Sequence, residues 1–231
     1  MNESFLDRLA RVQERMTRAC ERAGRPADSV RLVAVSKTHG PEAVREAADA
    51  GLEIMGENRV QEARAKIPLC PGHLRWHLVG HLQTNKARDA AALFERIHSV
   101  DSLKLLTALD RAAEQAGRSA LPVLLEVNVS GEGTKFGLKP DEVPAVLEAA
   151  NTLTRVQIQG LMTMPPLTPD PADARPHFQR LRTLRDQWRS ASGYALEELS
   201  MGMSHDFEVA IEEGATWIRL GTILFGERAK P

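Results

Sequence analysis

Apolar and polar positions recur along this chain in two rhythms. From Phe5 to about Ala23 the rhythm is helical, with Phe5, Leu9, Val12 and Met16 at three- and four-residue spacing and Arg and Glu between them. Gly24 and Pro26 end the run, as residues that stop a helix do. Residues 1–24 are therefore expected to form an extra helix packed on the fold that follows.

Beyond it, short β-rich apolar runs trade places with Ala-, Glu- and Arg-rich stretches. The strand candidates are RLVAVSK (31–37), EIMGEN (53–58), RWHLVG (75–80), RIHSVD (96–101), LPVLLEVNV (121–129), QIQGLMTM (157–164), ELSMG (198–202) and WIRLG (217–221). Helical patterns such as PEAVREAADAG, SLKLLTALDRAAEQAG and ARPHFQRLRTLRDQWRS lie between them, several opening on Pro, Ser or Asp. Strand–helix alternation implies a parallel sheet. Eight such units in 231 residues fit one domain, 1–231, built as an α/β (β/α)8 TIM barrel. The alternative is an open doubly wound sheet, but no GxGxxG follows the first strand. The proline-rich stretch 165–176 reads as a surface loop after the sixth strand.

Composition narrows the function classes. Thirty basic residues stand against thirty-one acidic ones, so no overall basic field points to nucleic acid. No apolar run approaches membrane-spanning length, and the charged N-terminus does not resemble a secretory signal. Cys20 and Cys70 show neither zinc nor disulfide spacing and read as free thiols. A cytoplasmic location is the expectation. His77 and His81 sit four apart but lack the glutamate of HExxH, so no metal site is expected.

In a (β/α)8 barrel the chemistry collects where the strands end. Lys37 closes the apolar run Leu32–Val35, on the parity of Val33 and Val35. A lysine against apolar walls loses some preference for its charged form, and its neutral amine can attack an aldehyde. Read alone, it is a strand-end lysine reaching for water. SMGMSHD (200–206) and RLGTILFG (219–226) shift that balance. Their hydroxyls, glycines and nearby Arg219 suit a phosphate, at the loops after strands seven and eight. Strand eight pairs with strand one in a closed barrel, which brings the phosphate loops beside Lys37. A phosphorylated aldehyde held through a lysine points to pyridoxal 5′-phosphate, with a sugar-phosphate aldolase as the other candidate.

The stretches VAVSKTH (33–39), GENRVQEA (56–63), WHLVGHLQTNK (76–86), HSVDS (98–102), EVNVSGEGTKFG (126–137), GLMTM (160–164), MGMSHDFEVAI (201–211) and RLGTILFGER (219–228) together resemble the pyridoxal phosphate homeostasis proteins, relatives of the barrel domain of alanine racemase. The resemblance spans almost the whole chain in order. It implies that Lys37 carries pyridoxal 5′-phosphate as a Schiff base. It also implies that Ser200, Ser204, Gly221 and Thr222 bind the phosphate and that Asn58 lies near the ring. Arg219 is implied to meet the cofactor, at either its ring nitrogen or its phosphate. The family implies cofactor carriage without an established catalytic activity, with apo-enzymes that use the cofactor as possible partners. Lys135 is a candidate second, transient attachment point.

The rival expectation is a racemase, which needs an acid/base on each face of the substrate carbon. In alanine racemase the second base is a tyrosine from a further domain. Few residues follow the eighth strand, and Tyr194 precedes the seventh, at the wrong end of the barrel, so that base is expected to be missing. Without the further domain a monomer is expected.

Overall fold

The computed structural model describes residues 3–133 and 136–226. Lys135 lies outside them. Eight strands form a closed barrel in sequence order: β1 (Arg31–Val35), β2 (Ile54–Glu57), β3 (Arg75–Leu78), β4 (Arg96–Val100), β5 (Leu121–Glu126), β6 (Val156–Met162), β7 (Glu198–Ser200) and β8 (Trp217–Leu220). All neighbouring pairs are parallel, and β1 closes the ring on β8 with Val33 opposite Arg219. The expected barrel is the observed one. Each strand nevertheless stops one to three residues short of the expected C-terminal boundary: residues beyond it, such as Ser36 and Met201, keep single backbone bonds to the neighbouring strand, but the regular pairing ends before them.

The first helix, α1 (Phe5–Arg22), starts on a capping box in which Ser4 and Asp7 satisfy each other's backbone N–H groups. Its buried residues Phe5, Leu9, Val12, Ala19 and Cys20 form one stripe. The remaining helices cover the barrel: α2 (Pro41–Asp49), α3 (Val60–Lys66), α4 (Ala87–Leu93), α5 (Leu103–Gln115), α6 (Val143–Ala150), α7 (Arg175–Ser192), α8 (Phe207–Glu212) and the short α9 (Thr222–Phe225). Prolines at the starts of α2, α6 and α7 sit where no intrahelical donor is needed. Helix α1 lies across α8 and α9. Arg15 and Arg22 pair with Glu208, Arg22 also with Glu212, and the Arg8 Nε–H donates to the Leu224 carbonyl at 2.5 Å. Among the described residues no helix is long and apolar enough to cross a membrane.

Strand alternation sorts the side chains into two interiors. Ala34, Met55, Leu78, Ile97, Leu125, Leu161, Leu199 and Leu220 face the helices and belong to the large apolar core. The lumen holds a smaller apolar group, Val33, Val35, Val79 and Trp217. The opposite parity also places His77, His98, Glu126, Ser200 and Arg219 inside, all buried. A lumen filled with so many polar groups departs from the layers of branched apolar residues usual in such barrels.

Glycine makes room where these layers are tightest. A Cβ on Gly160 of β6 would stand 1.9 Å from the Glu198 carbonyl oxygen on β7, a backbone atom that cannot give way alone. We expect Gly160→Ala to cost about 3 kcal/mol, and to lower Tm by roughly 6–12 °C in a domain of this size. Gly72→Ala, which adds its methyl to open space, should leave Tm within a degree or two, since surface changes of this kind are near neutral. Thermal unfolding followed by circular dichroism checks both.

Candidate functional site

A cavity of about 240 Å³ opens at the C-terminal face, over the seam where β8 meets β1. Lys37, Asn58, Ser204, Arg219, Gly221 and Thr222 line it together. Val35 and Val79 supply apolar surface, Met164, Leu167 and Met203 border it, and no acidic residue lines it among those described. Ser200 is placed differently from the expectation. Its side chain ends β7 on the lumen side, fully buried beneath the cavity, and its hydroxyl is taken up by protein partners.

The turn that presents Lys37 is held from behind. The Ser36 N–H continues the ladder to the Gly56 carbonyl, and the chain then swings away at Thr38, whose φ of 67° is rare for a β-branched residue. Behind the sheet, the Ser36 hydroxyl donates to Glu57 Oε1 at 2.7 Å. The Lys66 ammonium, from α3, donates to the same oxygen at 2.6 Å and to the Ser36 carbonyl at 2.8 Å. Lys66 and Glu57 are both buried. Asn58 follows Glu57 directly, and its backbone oxygen would be 2.4 Å from a Cβ on Gly80, so the loop after β3 passes only because Gly80 has no side chain.

The loops after β7 and β8 converge at the mouth. Ser204 Oγ accepts the N–H groups of Gly221 and Ile223 at 3.3 and 3.4 Å. Asp206 fixes the approach by accepting the Met203 N–H at 2.6 Å, while burial pushes its carboxyl above the usual range. Two backbone donors and a hydroxyl thus meet at one edge of the cavity.

Arg219 lies deeper. Its guanidinium donates to Ser200 Oγ at 2.7 Å and to the Thr163 carbonyl at 3.0 Å. Burial lowers its pKa to about 10, opposed by Glu126 and Asp206, so it remains a cation at neutral pH. Burial also pushes His77 down to about 3, with Arg96, Arg75 and Arg31 adding to the effect, and holds His98 well below its usual value. Glu126 is pushed up to about 7, first by burial and then by the Asp101 carboxylate, against the pull of Arg219.

Other singled-out residues fall elsewhere. His77 enters the lumen, whereas His81 points to Asp101 at 3.1 Å and stacks on Phe136 with ring centroids 3.7 Å apart, so the two histidines do not act as a pair. The Asn128 side chain ties down its own loop, accepting from Ser130 and Gly131 and donating to the Glu132 carbonyl. Tyr194 lines a separate cavity with Ala150 and Val156, at the N-terminal end of β6. On α7, Arg182 and Arg185 are half-buried, and Arg182 pairs with Glu213 at 3.1 Å. Sequence reasoning did not find His98, Glu57 or Lys66. A signal for His98 was present: in RIHSV it alternates with Ile97 and so takes the face opposite to that core residue.

Fold and site together define a barrel protein of the alanine racemase type: the family model described as "Alanine racemase, N-terminal domain" matches residues 8–229. Within that class the chain belongs to the pyridoxal phosphate homeostasis proteins. It is 47% identical over 223 residues to the pyridoxal phosphate homeostasis protein of Aquifex aeolicus, covering 96% of this chain and 97% of that one. PipY of Synechococcus elongatus, solved with pyridoxal phosphate bound, superposes with a TM-score of 0.84 at 43% identity, over 96% of this chain and all of the other (100%). An alanine racemase from Clostridium difficile shares the fold at a TM-score of 0.74 and 14% identity, over 94% of this chain and 57% of that one.

Two expectations follow from the buried charges. Lys66→Met leaves the Glu57 carboxylate without its cation and should cost about 3–5 kcal/mol, while Lys66→Met with Glu57→Gln should regain most of the loss. Urea unfolding of the single and double variants measures the coupling. For Glu126, the unfolded chain loses the proton near 4.5 and the folded one near 7. Its contribution to stability is therefore complete below about pH 4.5 and is lost as pH rises through about 7. Glu126→Gln should match wild type near pH 4 and exceed it near pH 8 by up to about 3 kcal/mol, as unfolding at the two pH values will show.

Proposed function

We propose that this protein binds pyridoxal 5′-phosphate in the cavity at the barrel mouth and holds it for delivery, acting as a carrier in cofactor homeostasis. One observation carries the reading: a single cavity gathers an amine, a guanidinium and a cluster of hydroxyl and N–H donors, with no carboxylate lining it among the described residues. That set fits a ligand with an anionic phosphate and an electrophilic carbonyl. When bound, pyridoxal phosphate supplies an aldehyde that a lysine amine can condense with, releasing water, and an electron-withdrawing pyridine ring. That PipY, 43% identical, was solved with pyridoxal phosphate bound supports cofactor binding here.

The chain's own groups divide the work. Lys37 offers its Nζ to the aldehyde. Ser204, Thr222 and the N–H groups of Gly221 and Ile223 receive the phosphate, which displaces the Ser204 hydroxyl from the two N–H groups it now satisfies. Asn58 lies beside the ring, and Val35 and Val79 keep water from it. Arg219 lies on β8 two residues before Gly221, which begins the loop above, so it sits roughly 7 Å deeper and meets the ring nitrogen while that loop takes the phosphate. A guanidinium only donates, so a ring nitrogen facing it keeps its lone pair unprotonated. The ring then draws electrons weakly, which leaves attachment and release intact and disfavours carbanion chemistry. Ser200 supports Arg219 from below and does not touch the phosphate.

The same reading makes apo-enzymes that use the cofactor the recipients, and places the work in the cytoplasm. On this reading the protein acts as a monomer.

Pyridoxal phosphate added to the purified protein should produce a visible absorption band, absent in Lys37→Ala. Ser204→Ala should keep the band and weaken binding about tenfold, the loss expected for one hydrogen bond to a charged group. A wild type with no band overturns cofactor binding. Amino-acid racemisation at an enzyme's turnover overturns the carrier reading in favour of a racemase.

A further inference from the structure

Beneath the cavity a line of buried side chains crosses the lumen from β8 to β3. Arg219 Nη1 lies 2.7 Å from Ser200 Oγ, which lies 2.7 Å from His98 Nδ1. His98 Nε2 lies 3.1 Å from His77 Nδ1. Ser200, His98, His77 and Arg219 are between 0% and 4% exposed, so water does not compete for these bonds. Trp217 meets both imidazoles edge-on, with centroids 5.1 and 5.8 Å away, and limits their rotation.

The donors fix the direction of the line. A guanidinium has no acceptor, so Ser200 Oγ accepts from Arg219. The serine's own hydrogen then goes to its other partner, His98 Nδ1. A His98 that accepts at Nδ1 carries its proton on Nε2 and donates it to His77 Nδ1. His77 in turn carries its proton on Nε2. Each bond runs away from the cation, and such a series polarises cooperatively. The arrangement needs a neutral His98, because a protonated ring would present a donor to Ser200 and strand the hydroxyl hydrogen. Burial together with Arg219, Arg96 and Arg31 disfavours that protonation, and Arg96, Arg75 and Arg31 do the same at His77.

We propose that His98 and His77 are positioning residues that hold Arg219 toward the cofactor cavity through Ser200, along a one-way hydrogen-bonded chain. The inference rests on the reading of that cavity as a pyridoxal phosphate site. Arginine has many rotamers, and its guanidinium must be aimed before a ligand arrives if binding is not to spend free energy on ordering it.

Two measurements test the chain. In the protein as purified, nitrogen-15 NMR of the imidazole side chains should show both His98 and His77 as neutral Nε2–H tautomers from pH 5.5 to 8. An Nδ1–H tautomer or a charged ring at His98 overturns the proposal, whether or not pyridoxal phosphate binds. The second measurement is affinity for pyridoxal phosphate. His98→Leu removes the acceptor and should weaken binding about 10- to 100-fold, the range for a hydrogen bond to a charged group. In His98→Asn the amide oxygen takes the place of Nδ1, and affinity should return to within about threefold of wild type. A purely space-filling role predicts the reverse order, with the smaller polar asparagine the worse of the two. Wild-type affinity in His98→Leu overturns the proposal and leaves the cofactor reading standing. No binding by wild type overturns the cofactor reading, and the tautomer measurement still decides the chain.

Discussion

A guanidinium shut inside a barrel must find its acceptors there, and much of this molecule's interior is arranged around that need. Arg219 draws a hydroxyl from β7 and a carbonyl at the end of β6, and the hydroxyl in turn draws two imidazoles from β4 and β3. Each supporting group must stay neutral, since a second cation in so confined a space would repel the first. Burial keeps the histidines neutral, and Glu126 sits near the balance point between its two forms. The lumen thus gives up part of the apolar filling that would stabilise it most. In return a fixed positive charge lies under the cavity.

On the other side of the sheet a second polar group works by a different rule. Lys66 and Glu57 are opposite charges withdrawn from water, and each is tolerable because of the other. Their shared contact with Ser36 stiffens the residue just before Lys37. Lys37 is therefore carried on a backbone braced from the helix side, while Arg219 is braced from the lumen side. Side chains held this way meet a ligand without first being ordered.

Much of this could be read from the order of residues. The eight strands and the helices between them follow from local periodicity, and the barrel follows from their alternation. Lys37, Asn58, Ser204, Arg219, Gly221 and Thr222 came together as expected because barrel topology carries every strand end to one face. What escaped depends on pairing across the ring. His98 and Ser200 touch although 102 positions separate them, and no local pattern encodes that contact. Ser200 was assigned to the phosphate because it begins a loop rich in hydroxyls and glycines. Its inward parity on β7 sends the side chain down toward Arg219 instead. Strand ends were overextended for a related reason: the mouth residues look like strand in composition and keep isolated cross-strand bonds, but the regular ladder ends before them.

The seam between β1 and β8 joins the two most distant strands of the barrel in sequence, and Arg8 of α1 bonds to Leu224 across 216 positions. The cavity lies over that seam, with residues 35–39 on one side and 219–226 on the other. Closing so long a loop is entropically slow, so the seam belongs with the late events of folding. Seven of the eight strands can be in register while the pocket still does not exist. Ligand occupancy is then a report on ring closure, and a bound ligand acts as a clasp. By mass action it draws the population away from forms with the seam open and suppresses that mode of local unfolding before any other.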